Sequence, residues 1–299
     1  MFTVSDCIDK LNNNQKVVKD LKNSGLISCF QTLRNYEKIF YKENTEYTKI
    51  YTEKTINELK NKIVKKNIKI NDKTNLDVWD INPYNCKKYV IICAGISSNK
   101  SCYSLQKLYL EIVRNCWGVI AFDYRGRGKS SGDFSQRGMR HDIESIYNYL
   151  RDKDISPNNM GIIGHSLGSY AAIELSRKEK IGFTIVVNPF SSATDMAKCI
   201  AHKIKLPSLI KNFIENIPDF IFPLKNKFNN IKSIKKIKTP LLIIHNEKDE
   251  TIPVILARRL YLASDSQNIT YKELDGYDHE INEEKTQNII NYIRFTEDV

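Results

Sequence analysis

Gly164-His165-Ser166-Leu167-Gly168 sets one serine between two glycines, at the end of a short apolar run and ahead of an alanine-rich helical pattern. A serine hydroxyl becomes a nucleophile only when a base takes its proton and an acid orients that base. A tight strand-to-helix turn suits this use. Flanking glycines let strand and helix approach without Cβ clashes, and the turn can hold the serine in a strained conformation with its oxygen exposed. The helix that follows aims N–H groups and a positive dipole end at oxyanion charge. Ser166 is therefore the candidate nucleophile. The simpler reading is an ordinary loop serine.

The chain has five histidines, at 141, 165, 202, 245 and 279. His165 lies inside the turn, and its side chain is expected to point away from Ser166. His141 and His202 fall in predicted helices, and His245 ends a predicted strand ahead of any acid. His279, in "GYDHE" after the last strand, is left as the candidate base. The acid is sought in "HNEKDETIP", where Asp249 lies just past a strand end, with Glu247 and Glu250 as neighbours that are either solvated or the acid itself. Asp275 and Asp278 read as loop charges. Ser166, Asp249 and His279 follow one another in the order that a serine elbow on a parallel sheet requires. An oxyanion site needs two N–H donors. Leu167, next to the serine, is one, and Ile96 in "CAGISSNK" is the other, with Gly95 allowing close backbone approach.

These residues need a scaffold that brings strand ends together. "YVIICA" (89–94), "GVIAFD" (118–123), "GIIGH" (161–165), "FTIVVN" (183–188) and "PLLIIH" (240–245) are continuous apolar runs separated by helical segments, and "NITYKEL" (268–274) follows another helix. Strands without apolar–polar alternation are buried on both faces, which implies a mostly parallel sheet between helical layers. In such sheets the ligand crevice lies beyond the carboxyl ends of the strands. Ahead of this series, "NIKIND" and "NLDVWDIN" alternate across a turn at Lys73–Thr74 and predict a β-hairpin. Residues 1–65 read as a helical extension. They lack proline, hold one glycine, and carry apolar stripes at Leu26, Phe30 and Leu33 and at Ile56, Leu59 and Ile63. The predicted organisation is an extension over 1–65 and an α/β domain over 66–299. A lid insertion is placed at about 192–236, containing "LPSLIKNFIENIPDFIFPL". That apolar segment either covers an acyl chain or packs as a small cap on its own core.

The pattern resembles the α/β-hydrolase superfamily from about residue 66 to 295. "AFDYRGRGKSSG" (121–132) is similar to the loop after that family's fourth strand, "GHSLGS" to its elbow, "NPFSSATDMA" to its strand-six exit and "IIHNEKDETIP" to its acid loop. The branch it looks nearest to holds monoacylglycerol lipases, small esterases and protein depalmitoylases. The resemblance implies a serine hydrolase of acyl esters or thioesters that uses no metal or organic cofactor. Acyl transfer to an alcohol, peptide hydrolysis, or non-catalytic partner binding through the N-terminal helices are its alternatives. Two positions depart from the family pattern. Ala94-Gly95 stands where His-Gly is usual before the oxyanion loop, and His245-Asn246 where His-Gly is usual before the acid. Arg125 and Arg127 either contact an acidic substrate group or belong to a structural loop in which Asp123 bonds its own turn.

Composition bounds the rest. A chain of 299 residues, 41% hydrophobic and 27% charged, matches a globular protein with a large core. Seven cysteines without a CxxC pair suggest reduced thiols and no zinc framework. A net charge of +11 is spread along a Lys-, Asn- and Ile-rich chain with no nucleic-acid motif, so no nucleic-acid partner is expected. The charge is compatible with peripheral contact with an anionic membrane, with "IKSIKKIK" (231–238) as a basic edge. Neither a basic-then-apolar leader nor a long apolar span is visible, so the expected location is cytoplasmic or peripheral to a membrane. Oligomeric state is not legible.

Overall fold

The computed structural model describes residue 59 and residues 62–71, 73–96, 98–203, 212, 216 and 227–297. Eight strands form one sheet: β1 (Ile63–Asn71), β2 (Thr74–Ile81), β3 (Tyr89–Cys93), β4 (Gly118–Phe122), β5 (Met160–His165), β6 (Phe183–Val187), β7 (Leu241–Asn246) and β8 (Ile269–Leu274). The helices are α1 (Tyr103–Arg114), α2 (Gln136–Arg151), α3 (Gly168–Ser176), α4 (Ala193–Lys203), α5 (Asn230–Ile234), α6 (Ile255–Ala263) and α7 (Glu283–Glu297). The predicted helices within 1–58 and the apolar centre of the predicted lid lie outside the described residues.

Strand order is β1-β2-β4-β3-β5-β6-β7-β8, with β2 antiparallel to both its neighbours and every other pairing parallel. Each central strand is buried at every position, as continuous apolar runs demand. Successive residues point to opposite faces and so divide between two cores. Ile91, Ile162 and Ile243 pack with α2, α3 and α6, while Ile92, Ile163 and Ile244 pack with α1 and α7. The edge strands β1 and β8 carry exposed lysines and glutamates, which discourages pairing with a further strand.

One boundary differs from the periodicity. Ile63, grouped above with a helical stripe, begins β1, while Leu59 is helical and buried in the second core. Ile63 sits at helical spacing from Ile56 and Leu59, but it also starts a strand that pairs with β2 along its whole length. Tertiary pairing overrides a three-residue periodicity. The turn at Lys73–Thr74 is where the hairpin reverses.

The order of the sheet places the site. From β3 the chain runs outward to β4 on one side and then returns to β5 on the other. Cys93 pairs with Gly164 in register, so the segments leaving β3 and β5 emerge side by side. This is the switch point at which parallel sheets open a crevice.

Candidate active site

Ser166 lies between β5 and α3 with φ 54°, a left-handed conformation that costs a non-glycine residue on the order of 1–3 kcal/mol. Tight packing holds it there. A Cβ on Gly164 would lie 2.6 Å from the Gly168 carbonyl oxygen, and one on Gly168 would lie 2.0 Å from the Cys93 carbonyl oxygen. The two glycines let α3 start directly against β3 and β5. Gly168→Ala is therefore expected to destabilise the fold by about 3 kcal/mol, because backbone rather than a flexible side chain must yield. Denaturant unfolding measures this, and a wild-type midpoint would show that the turn relaxes freely.

His279 and Asp249 reach the serine from two other strand ends. The loop after β8 carries His279, whose Nε2 lies 3.0 Å from Ser166 Oγ. The loop after β7 carries Asp249, whose Oδ2 lies 2.8 Å from His279 Nδ1. A carboxylate only accepts, so Nδ1–H donates to Asp249, and in the neutral ring this leaves Nε2 as acceptor for the serine hydroxyl. Asp249 is buried and also accepts from the backbone N–H groups of Thr251 (2.7 Å) and Ile252 (2.9 Å) and from Asn188 Nδ2 (2.5 Å). Burial alone would raise its pKa, but the His279 hydrogen bond and charge, with the Ile252 N–H, hold the carboxyl below its usual range.

The segment leaving β3 passes close to the serine. A Cβ on Gly95 would sit 3.2 Å from Ser166 Cβ. Ile96 and Leu167 line one cavity with Asn99, Arg127 and Phe134. Neither the Ile96 nor the Leu167 N–H has an acceptor among the described residues. Ala94, where the family pattern has histidine, is buried beside them.

Several groups support His279 and Asp249, and of these Asn188 was not singled out from the sequence. His165 does not face Ser166. Its Nε2–H donates to the His279 carbonyl oxygen at 2.8 Å, and burial pushes its pKa down to about 4. His245 donates through Nε2 to the Ile252 carbonyl oxygen at 2.8 Å beneath the acid, and burial lowers it to about 4 as well. Asn188, at the end of β6 with φ 47°, bonds Asp249 and the carbonyls of Asp278 and His279. Asn246, the second departure from the family pattern, donates to the Asp275 carbonyl oxygen at 2.8 Å and ties the two loops together. Asparagine at a left-handed position after an apolar strand was the one available signal, since few other residues tolerate it.

Arg125 and Arg127 separate in role. Arg125 donates through its backbone N–H and Nε to the two oxygens of buried Asp142 (2.9 and 2.7 Å), which accounts for it structurally. Arg127 lies over the Phe134 ring at 4.7 Å and lines the cavity. Asp123 bonds its own turn as expected, accepting from the Lys129 N–H at 3.1 Å and pairing with buried Lys100. The lysines of the predicted basic edge (232, 235, 236 and 238) are exposed, while Ile234 and Ile237 are buried.

Comparison with known proteins agrees with this architecture. A family model described as serine aminopeptidase, S33 matches residues 84–227. An uncharacterized protein of Acanthamoeba polyphaga mimivirus is 30% identical over 211 residues, 65% of this chain and 67% of that one. The chain has the α/β-hydrolase fold. Lysophosphatidylserine lipase ABHD12 of Macaca fascicularis is 32% identical over 164 residues, which are 52% of this chain and 40% of the lipase. The match thus spans about two fifths of that relative's length. Among solved α/β-hydrolase structures, an esterase of Pyrococcus furiosus superposes with a TM-score of 0.63 at 21% identity, covering 78% of this chain and 90% of the esterase. Among the described residues, no helix is long and apolar enough to cross a membrane, and no cluster of His, Cys, Asp or Glu is arranged to hold a metal.

Proposed function

We propose that this protein is a serine hydrolase of carboxylic esters or thioesters, with Ser166 as nucleophile, His279 as base and Asp249 as orienting acid. The observation that carries this reading is the hydrogen-bonded chain from Ser166 Oγ through His279 to Asp249, starting at a serine in a left-handed turn. His279 Nε2 takes the Ser166 proton as Oγ attacks the carbonyl, and the N–H groups of Ile96 and Leu167 receive the oxyanion. Asp249 stabilises the imidazolium. His279 then passes the proton to the leaving alcohol or thiol, and later activates water against the acyl-enzyme. No step calls for a metal or an organic cofactor.

An acyl substrate is supported by the names of the similar proteins, a lysophosphatidylserine lipase and an esterase, and by the apolar composition of the insertion at 192–236. The same serine chemistry cleaves amides, and the matched family model is described as an aminopeptidase. Ser169 stands after the elbow glycine where we would look for a second glycine in a peptidase. The exposed lysines over 232–238 support a resting face on anionic lipid.

Wild-type and Ser166→Ala protein are to be treated with a fluorophosphonate probe, then assayed on p-nitrophenyl esters of increasing chain length and on an aminoacyl p-nitroanilide. Labelling that depends on Ser166, with ester turnover well above anilide turnover, is the expected result. Absence of labelling removes the hydrolase reading, a short-chain optimum removes the acyl-lid part of it, and faster anilide cleavage reassigns the protein as a peptidase.

A further inference from the structure

Lys285 breaks three local rules at once. It is fully buried, it forms no ion pair among the described residues, and it stands in the first turn of α7, where the helix dipole disfavours a cation. A buried ammonium without a carboxylate partner is costly, and a leucine or methionine there would be cheaper for the fold. Violations of this kind collect at functional positions. Its side-chain partners are two backbone oxygens: Nζ donates to the Asp278 carbonyl at 2.5 Å and to the Glu280 carbonyl at 2.8 Å. These are the carbonyls of the residues on either side of His279.

The His279 carbonyl between them accepts from His165 Nε2 at 2.8 Å and Asn188 Nδ2 at 3.1 Å. Three consecutive carbonyls at the base are thus pinned by side chains from β5, the end of β6 and α7. His165 and Asn188 hold the centre of the loop, Asn188 also reaches the Asp278 carbonyl at 3.1 Å, and of the three side chains only Lys285 grips both flanks. We propose that Lys285 is a positioning residue for His279, setting the distance from its Nε2 to Ser166 Oγ without touching the substrate. This inference rests on the serine hydrolase reading. Asp249, Asp278, Glu280 and Glu284 surround the ammonium with negative charge, and His165 and His245 face it from the sheet. Burial nevertheless lowers its pKa to about 8. The neutral amine keeps two N–H donors, so the grip on both carbonyls persists in either protonation state.

Lys285→Met matches the arm and deletes the donors, while Lys285→Arg keeps them. The fluorophosphonate labelling rate, kcat and KM are measured per labelled site, so that misfolded protein does not count. The methionine variant is expected to lose about 10- to 100-fold in kcat and in labelling rate, the scale of a small misplacement of a reacting group, with KM within about twofold. The arginine variant is expected to recover most of the loss. Should the methionine variant not fold, Lys285→Gln, whose arm is too short for both carbonyls, takes its place under the same criterion. Wild-type kcat per labelled site in the methionine or glutamine variant overturns the assignment, as does an arginine variant no better than methionine. If wild-type protein itself fails to label at Ser166, the hydrolase reading falls and this inference falls with it. A labelled wild type with an indifferent Lys285 removes the inference alone.

Discussion

Ser166→Ala, His279→Gln and the double substitution are expected to lower kcat by nearly the same factor, on the order of a million-fold. The reason is the continuity of the hydrogen-bonded chain. Without the imidazole the hydroxyl keeps its proton, and without the hydroxyl the imidazole has nothing to activate. Whichever residue goes first takes the other's contribution with it. Asp249→Asn is expected to cost less, roughly ten-thousand-fold, because it leaves Ser166 and His279 in place but removes the charge that selects the Nδ1–H tautomer. Steady-state kinetics on one p-nitrophenyl ester test both points. Losses that multiply in the double variant would mean that Ser166 and His279 do not act as a unit.

A second large effect concerns acid. His165 and His245 are buried and neutral, each with a pKa lowered to about 4 from an ordinary value of 6.5. As pH falls below 6.5 the unfolded chain binds protons that the folded chain refuses, so stability declines, and the decline continues to about pH 4. The slope is about 1.4 kcal/mol per pH unit for each histidine. Across the full window the two remove about 7 kcal/mol, a large part of the 5–15 kcal/mol that holds a typical domain together. Asp249, with its lowered pKa, adds to the loss at the acid end, since its contribution is present above the ordinary carboxyl range and disappears as it protonates. Urea unfolding at pH 7.0 and 5.0 is expected to show a fall of about 4 kcal/mol, and His245→Gln should halve the slope. A stability that does not change between those pH values would rule out neutral burial of the two rings.

How much of this was legible in the chain depended on whether a feature is local. The apolar runs at 89–94, 118–123 and 240–245 read directly as buried strands, because burial on both faces removes every polar position. Glycines at 164 and 168 marked the turn because no side chain fits at 164 against Gly168 and Ala172, or at 168 against Cys93 and Ala94. Strand order was not legible, since nothing in a run of isoleucines says that β4 lies outside β3. The supports of the base were equally hidden. Lys285 reads as one more solvated charge at a helix start, His165 as a turn residue and Asn188 as a strand-ending polar residue. Each takes its role from a backbone carbonyl of the loop after β8, far along the chain for His165 and Asn188 and a few residues back for Lys285, and a carbonyl has no letter in the sequence. Ile63 shows the opposite failure, where a local spacing of three or four residues suggested a helix that sheet pairing overrode.

The hydrogen bond between Ser166 and His279 joins residues 113 positions apart, and the grip on the base loop comes from a helix later still. Chains emerge from the ribosome N-terminus first, at several residues per second. The strained serine turn can therefore be made well before its base exists, and closing that long loop is among the last entropic steps of folding. In the proposed mechanism, a chain halted short of His279 carries the serine turn without the base that would activate it.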